Sequence, residues 1–261
     1  AESLLKEMKA SRLQPDVTTY NSVLATCTQA KDANRAEACL KQMLHENLEA
    51  DAVSYSAVID ACAQAGDPAR AEYWLEQMEV AGLRATIGSY SSLVHAVAKL
   101  GDVGRIERLF MRMQACKLEA SGSMYNALIS ACAKRGDVDR AERWLTKMVD
   151  AGVRADVASY SAVIHACARS SDLPRAERTL ERMRKSGVEA NVVTYNSVIN
   201  AWAKRGAALA AERLVAQMCE VHVEPDVVTL GAATHACAKA GDADRAEAIF
   251  ERILSRGKTR P

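Results

Sequence analysis

The sequence predicts an all-α fold: a right-handed α-solenoid superhelix of tandem helix-turn-helix repeats, each 35 residues long. Three observations predict it. Tyrosines stand at Tyr20, Tyr55, Tyr90, Tyr125, Tyr160 and Tyr195, always 35 residues apart, and Leu230 takes the seventh slot. Methionines keep the same step at Met8, Met43, Met78, Met113, Met148, Met183 and Met218, with Ile253 in the last slot. No insertion or deletion breaks either series. A fixed period of this length marks stacked units, none of which can bury its apolar face alone.

Each unit reads as two helices. In VVTYNSVINAWAKRG, from Val192, the apolar residues Tyr195, Val198, Ile199 and Trp202 recur at three- and four-residue steps and so share one helical face. A glycine commonly closes this first helix, at Gly66, Gly101, Gly136, Gly206 and Gly241, as a left-handed C-terminal position requires. Aspartates follow at Asp67, Asp102, Asp137, Asp172 and Asp242, each able to cap the next helix through its carboxylate. Pro68 comes directly after Asp67, where a first-turn proline is tolerated. The second helix runs as in RAERWLTKM, with Ala141, Leu145 and Met148 on one stripe, and a short loop ends it, often at a glycine (Gly82, Gly152, Gly187, Gly257). Residues 1–16 read as the second half of a truncated repeat. Seven repeats follow at 17–51, 52–86, 87–121, 122–156, 157–191, 192–226 and 227–261.

Composition bounds the class. The chain is 49% hydrophobic and 26% charged, which suits a soluble, well-folded protein, and no apolar run approaches the ~20 residues of a membrane span. The formal net charge of +1 is uninformative as a total, so any case for a nucleic-acid partner rests on where the charges sit. No targeting segment is visible. Five of the eight cysteines, Cys27, Cys62, Cys132, Cys167 and Cys237, share one repeat slot with Val97 and Trp202. No CxxC or Cys/His cluster accompanies them, so the slot reads as buried packing rather than zinc ligation. No metal or other cofactor is expected.

The position after each tyrosine departs from the apolar stripe. It holds Asn21, Ser56, Ser91, Asn126, Ser161, Asn196 and, last, Gly231. A core would take apolar residues there, and an idle surface would drift toward Lys, Glu or Gln; restriction to Asn and Ser suggests a polar selector facing a ligand. The residue before each following repeat is also small and polar: Asp51, Thr86, Ser121, Asp156, Asn191 and Asp226. The plainer alternative is that both sets simply favour helix starts and caps. Eight residues after the selectors come Gln29, Gln64, Lys99, Lys134, Arg169, Lys204 and Lys239, spaced to share a face of the first helix, so five cations are candidates for phosphate contact. The glutamates Glu37, Glu72, Glu107, Glu142, Glu177, Glu212 and Glu247 all fall on second helices. His95, His165 and His235 share a slot with Asp60, Ser130 and Asn200, too far apart in sequence to form one metal site, and read as groove-lining polar residues.

The period, the YNSVI and YNALISACAKRGD starts, the RAE second-helix start and the closing Met-loop resemble the pentatricopeptide repeat family, in its pure 35-residue class. The resemblance runs through essentially the whole chain. It implies sequence-selective binding of single-stranded RNA, one nucleotide per repeat, by a monomer in a mitochondrion or chloroplast. It also implies that selector and closing residue jointly read a base edge. The slot three residues before the selector then wedges between bases: Thr18, Val53, Ala158, Val193 and Val228 would stack, whereas Gly88 and Ser123 would not. Family pairings assign uracil to Asn21/Asp51, Asn126/Asp156 and Asn196/Asp226, and adenine to Ser161/Asn191. Ser56/Thr86 and Ser91/Ser121 suggest a purine (R). RNA lying parallel to the protein gives the target 5′-U-R-R-U-A-U-3′. The selectors are expected exposed on the concave face.

Deaminase, phosphate-loop and hydrolase motifs are absent, so the sequence reads as a binder rather than an enzyme. Protein partners are left to sequence outside this stretch. The rival reading is a protein-interaction scaffold, a common use of α-solenoids.

Overall fold

The computed structural model describes Met8, Ser11 and residues 13–257. The leading half-repeat assigned to residues 1–16 falls mostly outside the described residues, as do Pro261 and the side chain of Ile253. Fourteen helices and no strand occur among the described residues. They divide between two compact units, residues 1–131 and 132–261.

The first unit holds α1 (Val17–Gln29), α2 (Ala33–His45), α3 (Ala52–Gln64), α4 (Pro68–Val80), α5 (Ile87–Leu100), α6 (Val103–Ala115) and the greater part of α7 (Gly122–Lys134). The second holds α8 (Val138–Asp150), α9 (Val157–Arg169), α10 (Leu173–Lys185), α11 (Val192–Lys204), α12 (Ala208–Glu220), α13 (Val227–Ala240) and α14 (Ala243–Gly257). Within the first unit, α1, α3 and α5 pack successively against one another, while α2 and α4 each bridge the odd helix before and after. The second unit repeats the scheme with α9, α11 and α13 as the row of first helices and α10 and α12 as bridges. Each unit is therefore an α-solenoid of stacked hairpins. No helix among the described residues is long and apolar enough to cross a membrane.

The residues that punctuate the sequence act as their chemistry dictates. Asp67, Asp102, Asp137, Asp172 and Asp242 accept a hydrogen bond from the backbone N–H three residues on, at 3.0–3.3 Å, and Asp32 does the same at Arg35. Ala207 stands in that slot before α12, which has no side-chain cap. The turn after the first helix is left-handed at Gly66 and Gly101, and equally at Lys31 (φ 56) and Ser171 (φ 61), where glycine is missing. The loop after the second helix is left-handed at Gly82, Gly152 and Gly187, and also at Asn47, Lys117 and His222. Side-chain-bearing residues in that region cost about 1 kcal/mol or more. The fold thus imposes the turn even where the sequence does not favour it.

The core is a ladder of equivalent positions. Tyr20, Tyr55, Tyr90, Tyr160 and Tyr195 are buried with Met43, Met78, Met113, Met148, Met183 and Met218, and Leu145 is wholly enclosed. Cys27, Cys62, Cys132, Cys167 and Cys237 are buried beside Val97, so the cysteine slot is packing. Burial pushes the Cys62 thiol up to about 12, with the nearby Glu37 charge adding to it, and Cys167 up to about 11. Trp202 is the exception in this slot. It stays half-buried, its indole N–H donating to Glu177 at 2.8 Å, because the ring is too large to enclose and its polar edge needs a partner.

Candidate nucleic-acid interface

In each unit the first helices carry the predicted selectors within their first turns. Asn21, Ser56, Ser91, Asn126 and Ser161 are half-buried, Asn196 is buried with 8% of its surface exposed, and Gly231 is exposed. This corrects the expectation that selectors stand open to solvent. The reason is their hydrogen bonding to the first turn of the following repeat.

The Asn21 side-chain Nδ2 donates to the Asp51 carboxylate at 3.2 and 3.3 Å, and Ser54 Oγ donates to Asn21 Oδ1 at 2.7 Å. Asp51 meanwhile caps α3 by accepting the Ser54 N–H at 2.9 Å. The same triad recurs in the second unit. Asn196 Nδ2 donates to Asp226 at 3.0 Å, Thr229 Oγ1 donates to Asn196 Oδ1 at 2.6 Å, and Asp226 caps α13 through Thr229 N–H at 2.8 Å. An amide has two N–H groups and two carbonyl lone pairs, so one of each remains on each asparagine for a ligand.

The serine selectors use the same partners. Ser161 Oγ and Thr194 Oγ1 lie 2.7 Å apart, and Thr194 donates both its N–H and its O–H to Asn191 Oδ1 at 2.9 Å. Ser56 Oγ lies 2.8 Å from Ser89 Oγ, which is 3.0 Å from Thr86 Oγ1. Ser91 differs. The equivalent position in the next repeat is Met124, wholly buried, and Ser91 Oγ has only a 3.5 Å contact to His95 on its own helix. Asn126 lies in the first unit, and in the second Asp156 caps α9 through Ser159 N–H at 2.9 Å.

Asp51, Thr86, Asp156, Asn191 and Asp226 are therefore helix caps, as the plainer reading held, and Asp51 and Asp226 are also direct hydrogen-bond partners of their selectors. Burial pushes the Asp51 carboxyl up, but the donors from Ser54 and Asn21 outweigh it and hold the group below the ordinary carboxylate range. The Thr229 N–H, ahead of the opposing effect of burial, holds Asp226 low in the same way. Both carboxylates are ionised at neutral pH.

Sequence reasoning missed the third member of these networks. It is the hydroxyl residue directly before each tyrosine slot: Ser54, Ser89, Ser159, Thr194 and Thr229, all buried. Its signal was present, as Thr or Ser precedes Leu230 and every tyrosine of the 35-residue series except Tyr125, which follows Met124.

The flanking slots lie on the same helices. Thr18, Val53, Ala158, Val193 and Val228 are exposed, Val53 and Val193 by more than 60%, which leaves apolar surface uncovered beside the selectors. Gly88 and Ser123 offer no such surface. Lys99, Lys134, Arg169, Lys204 and Lys239 are exposed in the last turns, and among the described residues none is in an ion pair. Lys239 Nζ reaches instead to the Lys204 carbonyl. In the first unit, Lys99, His95 and Ser91 line one shallow cleft with Asp60, Gln64 and Ser92. His165 Nδ1 pairs with Ser197 Oγ of the next repeat at 2.6 Å, and Ser92 donates to Asp60 at 2.6 Å.

Second-helix glutamates are neutralised by ladders between repeats. Arg70 donates to Glu37 at 2.8 Å, Arg105 to both Glu72 oxygens at 2.6 and 2.8 Å, and Arg213 to Glu177 at 2.6 Å. Glu37 also accepts the Trp74 indole N–H at 2.9 Å. Acidic charge is thus held among the second helices while the first-helix cations stay unpaired. A cleft of about 710 Å³ in the second unit lies between α8 and α10, lined by Arg143, Lys147, Arg178 and Arg182, and includes no selector.

Comparison with known proteins places this geometry in context. Family models described as pentatricopeptide repeat domain match residues 75–135 and 143–205. The PPR repeat family model matches 15–64 and 190–239, and the PPR repeat model matches 53–83, 123–153 and 228–257. No curated protein matches the chain. Among solved structures, the pentatricopeptide repeat protein PPR10 from maize aligns with 97% of the chain at 19% identity and a TM-score of 0.66. PPR10 in complex with an 18-nt psaJ RNA element aligns with 99% of it at 22% identity and a TM-score of 0.63. The chain spans 41% and 38% of those two structures. The PPR domain of Arabidopsis thaliana protein-only RNase P 1 in complex with tRNA matches 64% of the chain and 88% of its own length, at 20% identity and a TM-score of 0.55.

Proposed function

Because the chain belongs to the pentatricopeptide repeat family, we propose that it is a sequence-selective single-stranded RNA-binding module reading one nucleotide per repeat. The observation that carries this reading is the selector network. Asn21 and Asn196 are fixed by the next repeat yet keep one N–H and one lone pair, the minimum for bidentate pairing with a base edge. Uracil presents an N3–H flanked by two carbonyl acceptors, which that amide complements. At Ser161/Asn191, with the Thr194 proton on Asn191 Oδ1, the Ser161 proton goes to Thr194. Ser161 then offers lone pairs and Asn191 offers N–H groups. Adenine, with an amino donor beside the N1 acceptor, fits that arrangement.

The exposed valines supply apolar surface on which bases can pack, and the unpaired cations supply phosphate contacts. The target is 5′-U-R-R-U-A-U-3′, and the work of the module is to shield or present an organellar transcript, acting as a monomeric binder without catalysis of its own. The relatives in complex with RNA support the RNA class; the target, the compartment and the absence of catalysis belong to this proposal.

The test is an exchange of specificity. Replacing Asn126→Ser together with Asp156→Asn should move the preference at the fourth nucleotide from U to A while the other five stay. Replacing all of Lys99, Lys134, Arg169, Lys204 and Lys239 with Ala should weaken every RNA alike and flatten the salt dependence. No measurable RNA binding by the unaltered chain would favour the protein-scaffold reading.

A further inference from the structure

We propose that the buried hydroxyl preceding each tyrosine slot is a specificity-positioning residue: it sets which way the neighbouring selector presents its donors and acceptors. This inference rests on the RNA-binding reading and extends it from two residues per nucleotide to three.

The argument begins with proton counting. A hydroxyl has one proton and two lone pairs, and a lone serine selector can rotate to donate or to accept. Thr194 removes that freedom. It is 1% exposed, so no solvent competes for its proton. Asn191 Oδ1 already accepts the Thr194 N–H at 2.9 Å and takes the Thr194 O–H at the same distance. With the Thr194 proton held by Asn191 Oδ1, the donor across the 2.7 Å contact between Thr194 and Ser161 is Ser161. The serine is left with lone pairs outward and becomes an acceptor. An acceptor beside the Asn191 N–H groups suits adenine; guanine presents the opposite order, a carbonyl oxygen beside an N1–H.

The asparagine repeats use the same residue for a different purpose. Turning an amide over exchanges its N–H for its carbonyl, and this exchange separates uracil from cytosine, whose N3 and exocyclic groups reverse donor and acceptor. Ser54 donates to Asn21 Oδ1 from one side, and the Asp51 carboxylate accepts Asn21 Nδ2 from the other. Thr229 and Asp226 hold Asn196 in the same orientation. A flipped amide would set carbonyl against carboxylate, so Asp51 and Asp226 exclude it, while each hydroxyl, also 3.0 or 2.9 Å from its cap carboxylate, adds a hydrogen bond to the favoured orientation.

The chain contains its own counter-example. Met124 puts a thioether where the relay would stand, and Ser91 Oγ is left with only its long contact to His95 at 3.5 Å, so no neighbouring hydroxyl fixes its proton. The third nucleotide should therefore take A and G alike.

The experiment is fluorescence anisotropy with labelled 5′-UAAUAU-3′ RNA and its single-nucleotide variants, alongside a thermal melt of each protein. Thr194→Val removes the hydroxyl at nearly constant volume. The A-over-G ratio at the fifth nucleotide should fall about five- to tenfold, the effect of one hydrogen bond, with ratios elsewhere unchanged. Thr194→Ser, which restores the hydroxyl, should keep the ratio. Equal weakening for A and G, or an unchanged ratio, overturns the positioning role. Met124→Ser is the converse: A and G, within about twofold of each other in the unaltered chain, should separate severalfold at the third nucleotide, and continued equivalence there overturns the inference even if Thr194→Val does not fold. An unaltered chain that binds but prefers no base at the fifth nucleotide refutes base reading itself, a result distinct from any of these.

Discussion

Asp51→Ala removes a carboxylate that the structure uses twice. Asp51 caps α3 through the Ser54 N–H and accepts the Asn21 amide. Loss of an N-cap of this type costs about 1 kcal/mol, and leaving the half-buried Asn21 N–H without its acceptor costs about 1 kcal/mol more. The total is about 2 kcal/mol. In a chain of this length each kcal/mol lowers the melting midpoint by about 2–4 °C, so the variant should melt about 4–8 °C lower. Asp51→Asn separates the two uses. Asparagine caps about as well as aspartate, so this variant should lose less than about 0.5 kcal/mol while still altering the hydrogen-bonding face beside Asn21. Circular dichroism at the helical band gives the midpoints, and anisotropy with RNAs varied at the first nucleotide gives the base preference. If the two variants melt alike, whether both fall or neither does, the dual role assigned to Asp51 is wrong.

Three further predictions follow from local physics. Ser171→Gly relieves a left-handed residue, and Ala207→Asp supplies the one missing second-helix cap among the described residues; each should stabilise by about 0.5–1 kcal/mol in denaturant titration. Thiol labelling at pH 8 should modify exposed Cys116 rapidly but Cys62 and Cys167 only on unfolding, because burial both shields them and keeps them protonated. The carboxyls of Asp51, Asp226 and Glu37 titrate below their unfolded values of 3.8 for aspartate and 4.5 for glutamate, the last chiefly through Arg70. Their stabilisation is therefore full above those values and lost as pH falls through the lower folded ones, so the melting midpoint should hold from pH 7 to 5 and drop steeply below about pH 4.

What the sequence revealed was whatever recurs in one local slot. The tyrosine and methionine periods gave the core, and Asp67 and Asp102 gave their caps, because a cap needs only the next few residues. The left-handed turns at Lys31 and Ser171 were illegible, since no glycine announces them; stacking of the flanking helices imposes the geometry. The Glu37–Arg70 ladder was equally hidden, because its partners are 33 residues apart and meet only when hairpins stack. The selectors were legible as a polar column, but not their burial. Asn196 looks like a surface residue until Thr229 and Asp226 of the next repeat close over it. The hydroxyl column went unread for a simpler reason: a serine beside a buried tyrosine resembles filler at a helix start.

The central claim is that the polar column on the first helices reads bases, and selection from a random single-stranded RNA pool tests it most directly. Sequencing of the bound fraction should return a six-nucleotide motif with U at the first, fourth and sixth positions, A at the fifth, and purines between the first and fourth. A bound fraction with no common motif, or one whose preferences stay the same when Asn126→Ser and Asp156→Asn are introduced together, would contradict it.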